Sequence, residues 1–235
     1  MKIKTGISPL SNRDLLVPYA LPYLAYVGIA SAARNILPSE LSYVLKIIIV
    51  PGLIYWAWKW YCPLTGPKKI AGSVVAGIWF GIAGTVLWCV LMKPFALHDA
   101  PAWTKTQFML KLFTASLIVP VFEELFIRGF VLRAAFQWDM NRKNKVKSPL
   151  KHMLDHDSIN DVRPGACTMT AVVISSIVFA AGHMREQWPA AIVFSVLMAV
   201  LWIVRKDLLS CIIAHGTTNF TLALYVYLTG QWGLW

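Results

Sequence analysis

Residues 70–92 read IAGSVVAGIWFGIAGTVLWCVLM without one charged side chain. At about 1.5 Å per residue, a helix over this run crosses a hydrocarbon core of about 30 Å. Working outward, similar apolar runs occur at 41–61 and from Ala171 to Ala181. A chain that repeats such runs is solvated by a bilayer, where only helices and closed barrels satisfy their own backbone hydrogen bonds. The pattern predicts an all-α, polytopic transmembrane bundle with spans at about 15–33, 41–61, 70–92, 107–135, 168–186, 188–204 and 207–228. An eighth, short interfacial helix has room between Lys93 and Thr106.

Composition supports this reading. Hydrophobic residues make up 57% of the 235 and charged residues 14%, against about 25% charged in soluble domains. The mean hydropathy is +0.59. A soluble bundle of this size would have too little polar surface to cover itself. The net charge of +11 would point to nucleic acid in a soluble protein. Here the basic residues gather in short segments between spans, with no interleaved aromatics or nucleic-acid motif, so no nucleic-acid partner is expected. The densest run, Arg142, Lys143, Lys145, Lys147 and Lys151, suits contact with anionic lipid head groups.

Lys and Arg also report orientation. With the N-terminus in the cytoplasm, fifteen of them fall on the inner side, and only five, Arg34, Lys93, Lys105, Lys111 and Arg185, on the outer side. The positive-inside rule therefore predicts a cytoplasmic N-terminus and, with seven spans, an external C-terminus. Lys2 and Lys4 precede an apolar stretch, as in a signal peptide. Pro18, Pro22 and the tyrosines at 19, 23 and 26 read better as an uncleaved first helix. Residues 141–164 form the one long polar stretch, expected to be a solvated cytoplasmic loop. With no repeat or second soluble unit, residues 1–235 are read as a single membrane domain. Cys62, Cys89, Cys167 and Cys211 are scattered singly and read as packing residues.

An ionisable group at the centre of a span costs about 2.5–3.5 kcal/mol on insertion scales, so each one there needs a reason. They are Lys46, Glu123, Glu124, Arg128, His183 and His215, with Asn219 one turn beyond His215. In Phe122-Glu123-Glu124-Leu125-Phe126-Ile127-Arg128, Glu124 and Arg128 are spaced i, i+4 and can pair. Glu123 points about 100° away and has no partner in sequence, as a general base requires. His183 ends the fifth span after Phe179-Ala180-Ala181-Gly182, where small residues allow close helix approach. His215 and Asn219 share one face of the seventh. Glu123 and His183 lie at matching distances from the polar segment, within a turn, whereas His215 and Asn219 come out somewhat nearer the cytoplasmic face.

The series Glu123-Glu124-x-x-x-Arg128, Phe179-x-x-x-His183 and His215-x-x-x-Asn219 resembles the motifs of the CPBP family. This is the CAAX-prenyl-endoprotease and bacteriocin-processing (Abi) family of glutamate-type intramembrane proteases. The resemblance covers about residues 107–228, and the first three spans carry no motif. It implies an intramembrane endopeptidase, in a bacterial inner membrane, acting on a peptide or lipidated-protein substrate. In it Glu123, helped by His183, would activate water, and His215 and Asn219 would stabilise the oxyanion. Glu124, Arg128 and Phe179 would shape the site, and no cofactor would be required. Two other readings compete. One is a Zn²⁺-dependent membrane protease, although the HExxH spacing is absent. The other is a non-catalytic immunity or assembly protein whose polar residues only bond helices together.

Overall fold

The structure, a computed structural model, describes residues 10–33, 36–95 and 101–235. Lys2, Lys4 and Arg34 of the charge count lie outside the described residues, as do residues 96–100 of the 93–106 link. Pro94 and Phe95 form a turn and 101–104 are without regular structure, so the described part of that link holds no interfacial helix.

Three helices come first: α1 (Asn12–Ala33), α2 (Ser39–Ala57), continued by a 3₁₀ turn at Trp58–Trp60, and α3 (Ile70–Met92). One unbroken helical rod then runs from Lys105 to Lys143. Within it, α4 (Lys105–Phe113), α5 (Val119–Glu124) and α6 (Leu132–Lys143) are joined by two π-helical segments, Thr114–Ile118 and Leu125–Val131. A short α7 (Pro149–Asp155) precedes α8 (Met169–Ala181), α9 (Trp188–Arg205) and α10 (Leu208–Thr229). Helix is present at each of the seven expected spans, and five helices are long and apolar enough to cross a membrane by length and composition. The chain is an integral membrane protein. Its exposed apolar side chains, among them Tyr55, Trp79 and Leu228, face the lipid-solvated perimeter.

Two expectations change. The fourth span, expected to close near residue 135, continues as a helix to Lys143. Its extension is polar, with Arg142 and Lys143 both pairing with the buried Asp139 at its end. Residues 141–164 are also not a solvated loop. Ile159 and Met153 are buried within them, and Asn12 of α1 fastens the segment down. The Asn12 amide donates to Met153 O at 2.7 Å and Gln137 Oε1 at 2.8 Å, and its oxygen accepts from Ile159 N at 2.6 Å. A fully buried amide stays only where its donors and acceptor are all met, and this one joins α1, α6 and the polar segment.

The centre of the bundle is the contact of α3 with α10, which glycine makes possible. A Cβ on Gly77 would lie 2.7 Å from Ile213, and one on Gly81 would lie 2.5 Å from Thr217 and 2.6 Å from Ala214 O. Small residues four apart let two membrane helices approach backbone to backbone, and Thr218 Oγ1 donates across the seam to Gly81 O at 2.9 Å. Gly81→Ala is therefore expected to separate α3 from α10 at a cost of about 1–3 kcal/mol, the usual range for overpacking. Gly28→Ala and Gly52→Ala, with nothing within 4 Å of the added carbon, are the controls. Thermal melts of the three variants in detergent test this, and an unshifted Gly81→Ala melt would refute the close seam.

Candidate active site

The two π segments flank Glu123 and Glu124. A π turn widens the helix and leaves a carbonyl without its usual partner, which is why such turns gather at functional sites. Here the partner comes from α10: the Asn219 amide donates to Ala115 O at 2.7 Å. Gly216 makes that approach possible, because a Cβ there would sit 2.7 Å from Ser116 O. Asn219 is thus held by one N–H of its amide, and the second N–H remains for the cavity it lines.

Glu124 and Arg128 form the expected i, i+4 pair, fully buried, with Nη1 to Oε1 at 3.2 Å. Arg128 Nη2 also donates to Ser195 O and Oγ of α9, both at 3.0 Å, and the guanidinium lies over the Phe179 ring at 5.2 Å. His215 Nδ1 donates to the same Glu124 oxygen at 2.9 Å. Its Nε2 faces Glu123 Oε2 at 3.9 Å, and its ring edge-packs on Phe194 and Phe179. One imidazole therefore stands between the two glutamates. Counting residues along the sequence puts His215 nearer the cytoplasmic face than Glu123. The contact shows that the offset is absorbed between a rod with two π segments and the tightly packed α10.

Glu123 is 12% exposed, and its Oε2 makes no hydrogen bond. His183 occupies the turn after α8 rather than the helix itself. Its Nδ1 bonds Phe179 O at 3.0 Å; a carbonyl only accepts, so that nitrogen carries the proton and Nε2 is left as an acceptor. The ring lies between Phe179 at 4.7 Å and Trp88 at 5.9 Å, tilted against both. Glu123, Phe179, His183, His215 and Asn219 all line one cavity of about 270 Å³. Glu124 and Arg128 lie behind its wall. His183 faces the cavity but does not bond Glu123; the histidine nearest Glu123 is His215. Among the described residues, no three His, Cys, Asp or Glu side chains are grouped to hold a metal ion.

Sequence reasoning missed much of the rest of the lining, Tyr26, Lys111, Gln187 and Trp235 among it. In the sequence Lys111 reads only as an orientation signal, yet its ammonium sits over the faces of Trp103 at 3.7 Å and Trp235 at 4.3 Å. Lys46, noted for its place inside a span, lies over Tyr26 and Tyr43, each at 4.8 Å. The first helix also takes part. Tyr23 stacks on Phe126 at 5.2 Å, and its hydroxyl abuts Gly182, leaving no room for a side chain beside His183. An aromatic run in α1 gave no signal for this beyond its departure from a plain apolar span.

Fold and site together define a polytopic helical membrane protein with a carboxylate–histidine cluster facing a cavity inside the bundle. Residues 105–221 match the family model described as Rce1-like, type II CAAX prenyl endopeptidase, and the chain belongs to this family, whose members are proteases. The match begins with the first residue of α4 and ends two residues past Asn219, so α1, α2 and α3 lie outside it. No curated protein and no solved structure matches the chain.

Proposed function

We propose that the chain is an intramembrane endopeptidase that hydrolyses a peptide bond of a membrane-associated substrate with a water activated by Glu123. The observation that supports this reading is the Glu123 carboxyl oxygen, which has no hydrogen bond and lies beside a cavity that also meets His183, His215 and Asn219. Glu123 takes a proton from water as the oxygen attacks the scissile carbonyl carbon, with the free Nε2 of His183 orienting that water. The carbonyl oxygen becomes an oxyanion, which accepts from the second N–H of Asn219 and lies beside the His215 ring. Glu124 holds the opposite nitrogen of His215, and Arg128 holds Glu124. Collapse breaks the C–N bond, and Glu123 returns the proton to the leaving amine. The groups needed for proton transfer and oxyanion binding are then all side chains of this chain, and no metal takes part.

The substrate class follows from the family description and the surroundings of the cavity: a lipid-modified or membrane-delivered peptide, with a prenylated C-terminal segment as the first candidate. We place the protein in a bacterial inner membrane with its N-terminus in the cytoplasm. Lys111, Gln187 and Trp235, which line the cavity, belong to segments that the Lys/Arg distribution assigns to the outer side. The substrate is then reached from the face opposite the basic polar segment.

The test is cleavage of a fluorogenic lipidated peptide library by purified protein in detergent, with and without a chelator. Cleavage that survives the chelator supports the water–carboxylate mechanism. Cleavage lost with the chelator and restored by Zn²⁺ overturns it in favour of a metalloprotease. Asn219→Ala is expected to lower kcat by about 10²–10³, the range for loss of one oxyanion donor, with a smaller change in KM. An unchanged kcat would remove Asn219 from the oxyanion site.

A further inference from the structure

At the opposite, basic end of the bundle is a second cavity, of about 450 Å³, that shares no lining residue with the first. Lys59 at the end of α2, Arg133 of α6 and Lys206 at the α9–α10 joint converge on it, together with Tyr61, Asn160 and Asp207. Arg133 is 4% exposed and is stacked on the Trp202 ring at 4.9 Å. Its guanidinium carries five N–H donors. Among the described residues it makes one hydrogen bond, a long one of 3.4 Å from Nη1 to Ile159 O, and its Nε has no partner. Among the described residues no carboxylate pairs with it either.

The carboxylate in the lining is already committed. Asp207 Oδ1 caps α10 by accepting from Ser210 N at 2.7 Å, and Oδ2 accepts from Ser73 Oγ at 2.7 Å, with Arg205 Nε at 3.9 Å. Lys59 lies over the Trp60 face at 4.2 Å, and neither it nor Lys206 forms an ion pair among the described residues. A buried guanidinium with most of its donors free is unfavourable unless a counter-charge meets it. Water can accept its N–H groups but does not neutralise its charge. Among the described residues the cavity thus holds three cations and no free anion, at the end of the bundle where basic residues concentrate and anionic head groups lie.

We propose that this cavity binds a phosphate-bearing anion, with Arg133 as the planar donor and Lys59 and Lys206 as flanking charges. A guanidinium offers paired N–H groups at the spacing of two phosphate oxygens, whereas lysines contribute as point charges. The source is either an anionic phospholipid head group from the adjoining leaflet or a soluble phosphate, and the site does not depend on the proposed proteolysis.

The experiment measures binding to the full chain purified in neutral detergent and freed of lipid. Native mass spectrometry and thermal melts are run with phosphatidylglycerol, with phosphatidylcholine and with inorganic phosphate alone. Retention of phosphatidylglycerol over phosphatidylcholine, with a raised melting midpoint, is expected of wild type. Arg133→Gln is expected to weaken it about ten- to a hundredfold, as for loss of a charged hydrogen bond. The Lys59→Gln/Lys206→Gln pair, at accessible positions, tests the site if Arg133→Gln does not fold. The same stabilisation by millimolar inorganic phosphate, lost in the same variants, would identify the soluble anion as the source. Equal retention of the two lipids together with no effect of phosphate, or undiminished binding by the variants, would overturn the proposal.

Discussion

Glu123→Gln is expected to lower turnover by about 10²–10⁴-fold, the contribution typical of a positioned general base, while leaving the fold and peptide binding intact. The substitution keeps the size and shape of the side chain and removes only its ability to take a proton. Glu123 Oε2 makes no hydrogen bond, and the nearest ring nitrogen, His215 Nε2, is 3.9 Å away. Little native bonding is therefore lost, and the melting midpoint should match wild type. A labelled, lipidated peptide that wild type cleaves should still bind the variant with unchanged affinity and simply persist. His183→Ala is expected to cost less, because in the proposed mechanism its ring only orients the water, and the loss should fall on kcat rather than on binding. Equal cleavage by wild type and Glu123→Gln would remove Glu123 from the chemistry, and the cavity's unpaired ring nitrogens, His183 Nε2 and His215 Nε2, would become the candidate bases.

Much of this arrangement is legible in the sequence because it depends on short-range periodicity. The ends of α3 at Ile70 and Met92 are set by where charged and turn-forming residues stop and resume. The Glu124–Arg128 pair and the shared face of His215 and Asn219 follow from i, i+4 spacing within one helix. The hidden part lies in contacts between helices. Nothing in the spacing of 123, 124 and 215 shows that one imidazole meets both glutamates. An angle of about 100° between the glutamates argues for different neighbours, yet the two nitrogens of a ring face in different directions and reach both. The π segments at Thr114–Ile118 and Leu125–Val131 also shift the register that a 3.6-residue count assumes. The polar run 141–164 was misleading for a related reason. Its charges suggested solvent, but the buried Ile159 and Met153 and the Asn12 anchor come from a few apolar positions and a residue far away in the chain. Lys111 looked like an orientation signal because its aromatic neighbours, Trp103 and Trp235, are brought together only by the fold.

Removing Arg128 is expected to have the largest effect on stability. Arg128→Met takes away the partner of the fully buried Glu124 and leaves Ser195 O and Oγ without their donor. Breaking a buried ion pair from one side costs about 3–5 kcal/mol, because the remaining charge stays in a low-dielectric interior. A melt in detergent should show a large drop for Arg128→Met and a smaller one for Glu124→Gln/Arg128→Met, in which no uncompensated charge remains. Buried pairs are often replaceable by neutral groups of similar volume, so the cycle should show strong coupling between the two positions. Activity should not recover in step with stability. In the double variant His215 Nδ1 has lost the carboxylate that fixes its ring, now bonded at 2.9 Å, so turnover should stay low even where the fold is regained. Recovery of both together would mean that Glu124 and Arg128 serve only the packing of the rod against α9. Recovery of stability alone identifies Glu124 as the positioning residue for His215.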